Sequence, residues 1–271
     1  MTIELNARRA GEGPAVILLH GLFGSGPNLG ALARSLESQY TVYSLDLPNH
    51  GRSGWLPDPD LPGMANCLLQ WMDREGLELA SLVGHSLGGK VAMEVALTAP
   101  GRVPALVVVD IAPVAYPARH DSVFDALRAV SEANCPSRQA AADLLDEYLE
   151  EEGVAQFLLM SLARQEDRMD WRFDRVGLER AYPALIAAPS AGRIYKGPTL
   201  FIKGSESDYI LDAQQAQILA LFPSATLKIL QGTGHWLHAE KPALFNALVQ
   251  RFLDDASTGV GREQAEDSAC T

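Results

Sequence analysis

The chain reads as an α/β protein with a mostly parallel central sheet flanked by helices and a block of helices inserted before the sheet is complete. Three observations predict this class. Short apolar runs alternate with amphipathic helical segments up to Asp110. The alternation stops there and resumes at Pro198. Glycines punctuate one junction, Leu79 to Ala99, where an apolar run breaks into Gly84-His85-Ser86-Leu87-Gly88 and continues as an apolar-faced helix.

In chain order, Ile3 to Leu5 reads as an edge strand and Pro14 to His20 as a buried strand. Asn28 to Ser38 is helical, Thr41 to Leu47 is a strand, and Asp46 to Ser53 forms a tight loop. A helix from Leu61 to Glu75 precedes the serine junction. Pro104 to Asp110 is almost entirely Val, Leu and Ala, the pattern of a strand covered on both faces. Strands and helices alternating in this way imply parallel pairing through right-handed crossovers. Between Pro113 and Lys196 helical periodicity dominates, at Ser122 to Asn134, Arg138 to Glu151, Val154 to Arg164 and Asp174 to Ile186, with no convincing strand. Pro198 to Lys203 and Ala225 to Leu230 are strands, Asp212 to Leu221 a helix, and Pro242 to Asp254 the closing helix. The expected organisation is a core of residues 1–112 and 197–255, a helical cap of 113–196, and a polar tail of 256–271 that frays.

With 271 residues and 47% apolar content, the chain can bury a full core. Its net charge of −12 argues against nucleic acid or an anionic membrane surface as partner. Cys67, Cys135 and Cys270 are widely spaced, odd in number and outside any CxxC pattern, which suggests neither a disulfide framework nor zinc. Ala15 to Leu19 is too short for a signal segment, so the expected location is cytoplasmic. A small molecule is the expected partner, of a monomer or homodimer.

Parallel strands end along one edge, so residues just after several strands converge there. Ser86 sits at one such end, where the Leu87 amide begins a helix whose dipole favours developing negative charge. A serine is a poor nucleophile without a base. His235, in the loop Gly232-Thr233-Gly234-His235-Trp236 after the last strand, is the expected base. The acid is Asp110, directly at a strand end, or Asp208 in the loop after the next strand, with Asp110 favoured. Serine, acid and histidine then follow in the order of the nucleophile-elbow hydrolases. The loop His20-Gly21-Leu22-Phe23-Gly24 should supply a second oxyanion donor, the Leu22 amide, beside that of Leu87. His20 should pin this loop by hydrogen bonds, and His85 should pack beside the serine strand. His50, His120 and His238 lack metal-ligand spacing, and no metal or cofactor is expected. Phe23, Phe157, Leu158, Met160, Trp171, Tyr182 and Trp236 are candidate pocket residues.

Five segments, HGLFGS, DLPNHGRS, GHSLGGKVAM, DIAPV followed by RHD, and GHWLHAEKP, together resemble the α/β-hydrolase superfamily and within it the small bacterial carboxylesterases of the YbfF type. The resemblance spans Pro14 to Leu253 and includes cap segments such as EEGVAQFLL. It implies hydrolysis of esters, with acyl-CoA thioesters in the same range, without metal or cofactor, and it makes the aspartate of DIAPV, Asp110, the acid. Many hydrolases of this architecture place the acid three residues after the glycine that ends the later strand; this chain has Ser207 there and Asp208 one step on. Short to medium acyl esters are the expected substrates. Carbon–carbon bond hydrolysis, cofactor-free perhydrolysis and a non-catalytic binding role are the alternatives.

Overall fold

A computed structural model describes residues 3–150, 152–190 and 192–268. Seven strands form the central sheet: β1 (Ala7–Ala10), β2 (Ala15–Leu19), β3 (Thr41–Leu45), β4 (Ser81–His85), β5 (Leu106–Val109), β8 (Thr199–Gly204) and β9 (Ala225–Leu230). Their order across the sheet is β1-β3-β2-β4-β5-β8-β9, and every pairing is parallel except that of β1 with β3.

Alternation of side chains along the strands divides the core in two. On one face Ile17, Leu82, Val108 and Phe201 pack toward α2 (Leu61–Arg74) and α3 (Leu87–Thr98). On the other, Val16, Val83, Val107 and Ile202 meet α1 (Gly30–Leu36) and α10 (Pro242–Ser268) through Leu32, Leu36, Phe245 and Val249. The central strand β5 is buried at all four positions, as its Leu-Val-Val-Val sequence requires. Among the described residues no helix is long and apolar enough to cross a membrane.

The structure corrects three readings of the sequence. The edge strand is Ala7–Ala10, not Ile3 to Leu5. It carries exposed Arg8 and Arg9, so backbone pairing with β3 places it and hydrophobic patterning does not. Leu5 instead buries its side chain under the sheet edge, while the Glu4 carbonyl accepts from Gly54 N–H at 2.8 Å. The inserted block between β5 and β8 is not all helix. Besides α4 (Asp121–Glu132), α5 (Arg138–Asp146), α6 (Glu152–Met160) and α7 (Arg175–Leu185) it contains an antiparallel hairpin, β6 (Leu162–Gln165) with β7 (Arg168–Trp171). Its two-residue turn, Glu166-Asp167, holds Glu166 at φ 51°, a conformation that Asn-Gly sequences usually announce. Finally, α10 continues to Ser268, past Asp254 where the closing helix was expected to end. Residues 269–271, Cys270 included, lie outside the described residues.

Helix α3 is buried at every position from Leu87 to Leu97, and two of these residues, Lys90 and Glu94, are charged. Both are satisfied by the ends of the inserted block. Lys90 Nζ donates to the carbonyls of Val114 at 2.7 Å, Ala187 at 2.5 Å and Ile186 at 3.4 Å. One turn later, Glu94 accepts the Ser190 N–H at 2.7 Å and its hydroxyl. The helix that follows Ser86 therefore holds the chain where it leaves the sheet and where it returns. Burial pushes the Lys90 ammonium down to about 7.

The sign of the pH dependence follows. The ordinary lysine value is 10.5, so between pH 7 and 10.5 the unfolded chain binds a proton that the folded chain has released. Folded stability contributed by this group therefore rises with pH across that window. Chemical denaturation between pH 7 and 10 should show this slope, and Lys90→Met should flatten it. The same variant should speed amide exchange at residues 114–116 and 186–190 by unfastening both ends of the block.

Candidate active site

The β4–α3 junction is a tight turn in which Ser86 adopts φ 53° and ψ −116°. Neighbouring glycines make this possible. A Cβ on Gly84 would lie 2.2 Å from the Gly88 carbonyl oxygen, and one on Gly88 would lie 2.3 Å from that of Leu19. The Ser86 N–H donates to Val109 O at 3.0 Å, and its carbonyl accepts from Lys90 N–H at 3.0 Å as the first bond of α3. The strained residue is therefore fixed on both sides.

The loop after β2 crosses beside this turn, and a Cβ on Gly21 would lie 3.3 Å from Ser86 Cβ. Two buried histidines set its shape. His20 Nδ1–H donates to Gly21 O at 2.8 Å while Nε2 accepts from Leu47 N–H at 3.0 Å. His50 Nδ1–H donates to Pro48 O at 2.8 Å while Nε2 accepts from Phe23 N–H at 3.1 Å. Each ring must be neutral to accept at Nε2. Burial supports this, lowering His20 and pushing His50 down to about 3. Phe23 is left at φ 65°, with Leu22 between it and Gly21.

Asp110 follows β5 directly, is fully buried and also has positive φ, 51°. Its Oδ1 accepts from Gly204 N–H at 3.1 Å, and Oδ2 accepts from the Ser207 hydroxyl at 2.5 Å and from His235 Nδ1–H at 2.7 Å. Asp208 lies elsewhere: its side chain is 71% exposed and pairs with Arg119 at 2.8 Å. Ser207, three residues after Gly204, thus hydrogen-bonds the Asp110 carboxylate.

His235 is held by its backbone as well as its ring. Its carbonyl accepts from His85 Nε2–H at 2.9 Å, a tie from the serine strand to the histidine loop that the sequence did not disclose. Burial keeps His85 well below the ordinary imidazole value, so it stays neutral. The loop also approaches β8 so closely that a Cβ on Gly204 would lie 2.2 Å from the Gly234 carbonyl. With Nδ1–H committed to Asp110, Nε2 keeps its lone pair, which suits a proton acceptor.

Ser86 and His235 line one cavity of about 810 Å³, together with Leu22, Phe23 and Leu87. The inserted block adds Phe157, Leu158 and Tyr182, and the histidine loop adds Trp236. Met160 and Trp171 are the exceptions among the expected pocket residues: Met160, at the end of α6, faces solvent, 53% exposed, away from the cavity wall. Trp171 is core, donating Nε1–H to Leu127 O at 3.0 Å.

A family model described as alpha/beta hydrolase fold matches residues 14–242. The chain belongs to the α/β-hydrolase family. This α/β hydrolase is 40% identical to the esterase YbfF of Escherichia coli over 241 residues, covering 89% of this chain and 93% of that protein. It is 36% identical to an sn-1-specific diacylglycerol lipase of Mus musculus, covering 89% and 81% of the two chains. Among solved structures, one titled marine microorganism esterase superposes with a TM-score of 0.89 at 33% identity, covering 93% of this chain and all of the other. The α/β hydrolase described here is thus of the esterase and lipase type.

The glycines of the serine turn carry a stability prediction. Gly84→Ala should destabilise the fold by about 1–3 kcal/mol or more, because the added methyl meets backbone and no side chain can yield. A fall in the urea midpoint with unchanged slope is the expected reading.

Proposed function

We propose that the protein is a serine carboxylesterase acting on short to medium acyl esters through an acyl-enzyme. The observation that carries this reading is the buried Asp110 carboxylate bonded at 2.7 Å to Nδ1 of His235, a ring that shares its cavity with the strained Ser86. In this reading Ser86 Oγ attacks the ester carbonyl and His235 Nε2 takes its proton. Asp110 holds the imidazole tautomer and stabilises the imidazolium. The Leu22 and Leu87 amides receive the oxyanion. The tetrahedral intermediate expels the alcohol, protonated by His235. Water, activated by the same histidine, then releases the acid and restores Ser86.

The names of the relatives, esterase and diacylglycerol lipase, support ester hydrolysis. The inserted block acts as a cap in this reading. Phe157 and Leu158 give its wall an apolar stretch that suits an acyl chain, beside the polar Arg119, His120 and Glu150, and acyl-CoA thioesters share the acyl half of such a substrate.

Ser86→Ala should lower kcat by about 10⁶ and Asp110→Asn by about 10⁴. Asp208→Asn, at a residue exposed and paired with Arg119, should cost less than about tenfold, because it does not touch the imidazole. A series of p-nitrophenyl esters and acyl-CoA thioesters of increasing length reads both the variants and the acyl preference. Equal loss in the two aspartate variants would refute the assignment of the acid, and full activity of Ser86→Ala would refute the acyl-enzyme.

A further inference from the structure

One hydrogen bond to Asp110 fixes an edge of the His235 ring but not its plane. The imidazole remains free to rotate about the Nδ1···Oδ2 line, and it sits on a loop with glycines at 232 and 234. Something else must set the ring's tilt. Tyr209 is stacked on it, with centroids 3.9 Å apart and planes 20° from parallel.

Tyr209 is itself fastened at three points. Its N–H donates to Ser207 Oγ at 3.2 Å, and that hydroxyl donates to Asp110 Oδ2. Its carbonyl accepts from the Tyr116 hydroxyl at 2.5 Å, and the same hydroxyl oxygen accepts from Ala112 N–H at 2.8 Å. The backbone of Tyr209 is thus bound at both ends to the segment that follows β5 and carries the acid. The Arg119 guanidinium also lies over the Tyr209 ring, 4.7 Å from its centroid, and Asp208 holds that guanidinium at 2.8 Å. Burial pushes the Tyr209 phenol up to about 12, so the ring stays neutral where an imidazole base operates.

We infer that Tyr209 is a positioning residue for His235: its ring fixes the imidazole plane against Asp110 and offers a π face to the imidazolium, while the Arg119–Asp208 pair locks the tyrosine in place. The inference rests on the acyl-transfer reading above. It also gives Asp208 a role that a stray alternative acid would not have, as counter-ion to the guanidinium over Tyr209. Further titratable neighbours of His235 are His85 on β4, His238 tilted 57° against His85 at 4.5 Å, His120 at the start of α4, and the carboxylates of Glu206 and Glu240, the latter accepting from Gly234 N–H at 2.8 Å. Burial lowers the three histidines, His120 and His238 to about 4, so the charged side chains near the ring are Asp110, Asp208, Arg119, Glu206 and Glu240.

The test compares Tyr209→Leu, Tyr209→Phe and Arg119→Met in the full chain, with thermal melting as a control for folding. A stacked aromatic pair of this kind corresponds to roughly twofold to thirteenfold in rate. Tyr209→Leu should lower kcat on p-nitrophenyl butyrate by that factor with KM within about twofold, and it should slow labelling by a fluorophosphonate equally. Tyr209→Phe keeps the stack and should restore both. Arg119→Met removes a positive charge and leaves Asp208 unpaired, so the acidic limb of the kcat/KM profile should move to higher pH. Wild-type kcat in Tyr209→Leu, or a phenylalanine variant as impaired as the leucine one, would overturn the inference while fluorophosphonate attachment to Ser86 leaves the acyl-transfer reading standing. Turnover in Ser86→Ala with no fluorophosphonate attachment in the wild type would overturn that reading, and the role of Tyr209 with it.

Discussion

Ser86 and Asp110 end adjacent parallel strands, and both are held at positive φ, 53° and 51°. Such backbone costs of order 1–3 kcal/mol per residue and persists only where its surroundings leave no alternative. Here the surroundings are backbone. Gly84 and Gly88 let α3 start against the sheet with no Cβ between, and Gly204 does the same where β8 meets the His235 loop. Each of these contacts brings main chain to main chain, and together they put a hydroxyl, a carboxylate and an imidazole at one end of the sheet. The remainder of the site is arranged around those fixed points.

Neutral imidazole is the second constraint. His20, His50 and His85 each donate from one nitrogen to a carbonyl, and the first two accept a backbone amide at the other. A charged ring could not accept, and burial keeps all three uncharged. They work as rigid two-ended connectors, shaping the loop that carries Leu22 and anchoring the carbonyl of His235. Only His235 has its Nδ1–H on a carboxylate among these four, and that difference in partner separates a proton-transfer candidate from three structural rings.

The inserted block depends on a third feature, the charged pair on α3. A lysine and a glutamate one turn apart, both buried, are poor choices for a core helix unless their hydrogen bonds are filled. The two ends of the block fill them with three carbonyls, one amide and one hydroxyl. The wall of the cavity is thereby referenced to the same helix that begins at Ser86, so pocket and serine share a frame.

The amino-acid sequence by itself determined the parallel sheet, the serine turn, the histidine loop and the preference for Asp110, because strand burial, glycine spacing and strand ends are properties of neighbouring residues. The hairpin at 162–171 escaped it, since Glu166-Asp167 lacks the usual turn chemistry, and so did the outward side of α6 on which Met160 lies, because a helix apolar on most sides does not announce which side meets a cavity. Ser207 on Asp110, Tyr209 on His235 and Lys90 on Ala187 are separated by 97, 26 and 97 positions. Only the tertiary structure decided those pairings, because which hydroxyl, ring or carbonyl completes a buried polar group is fixed by where the whole chain packs, and no local pattern encodes it.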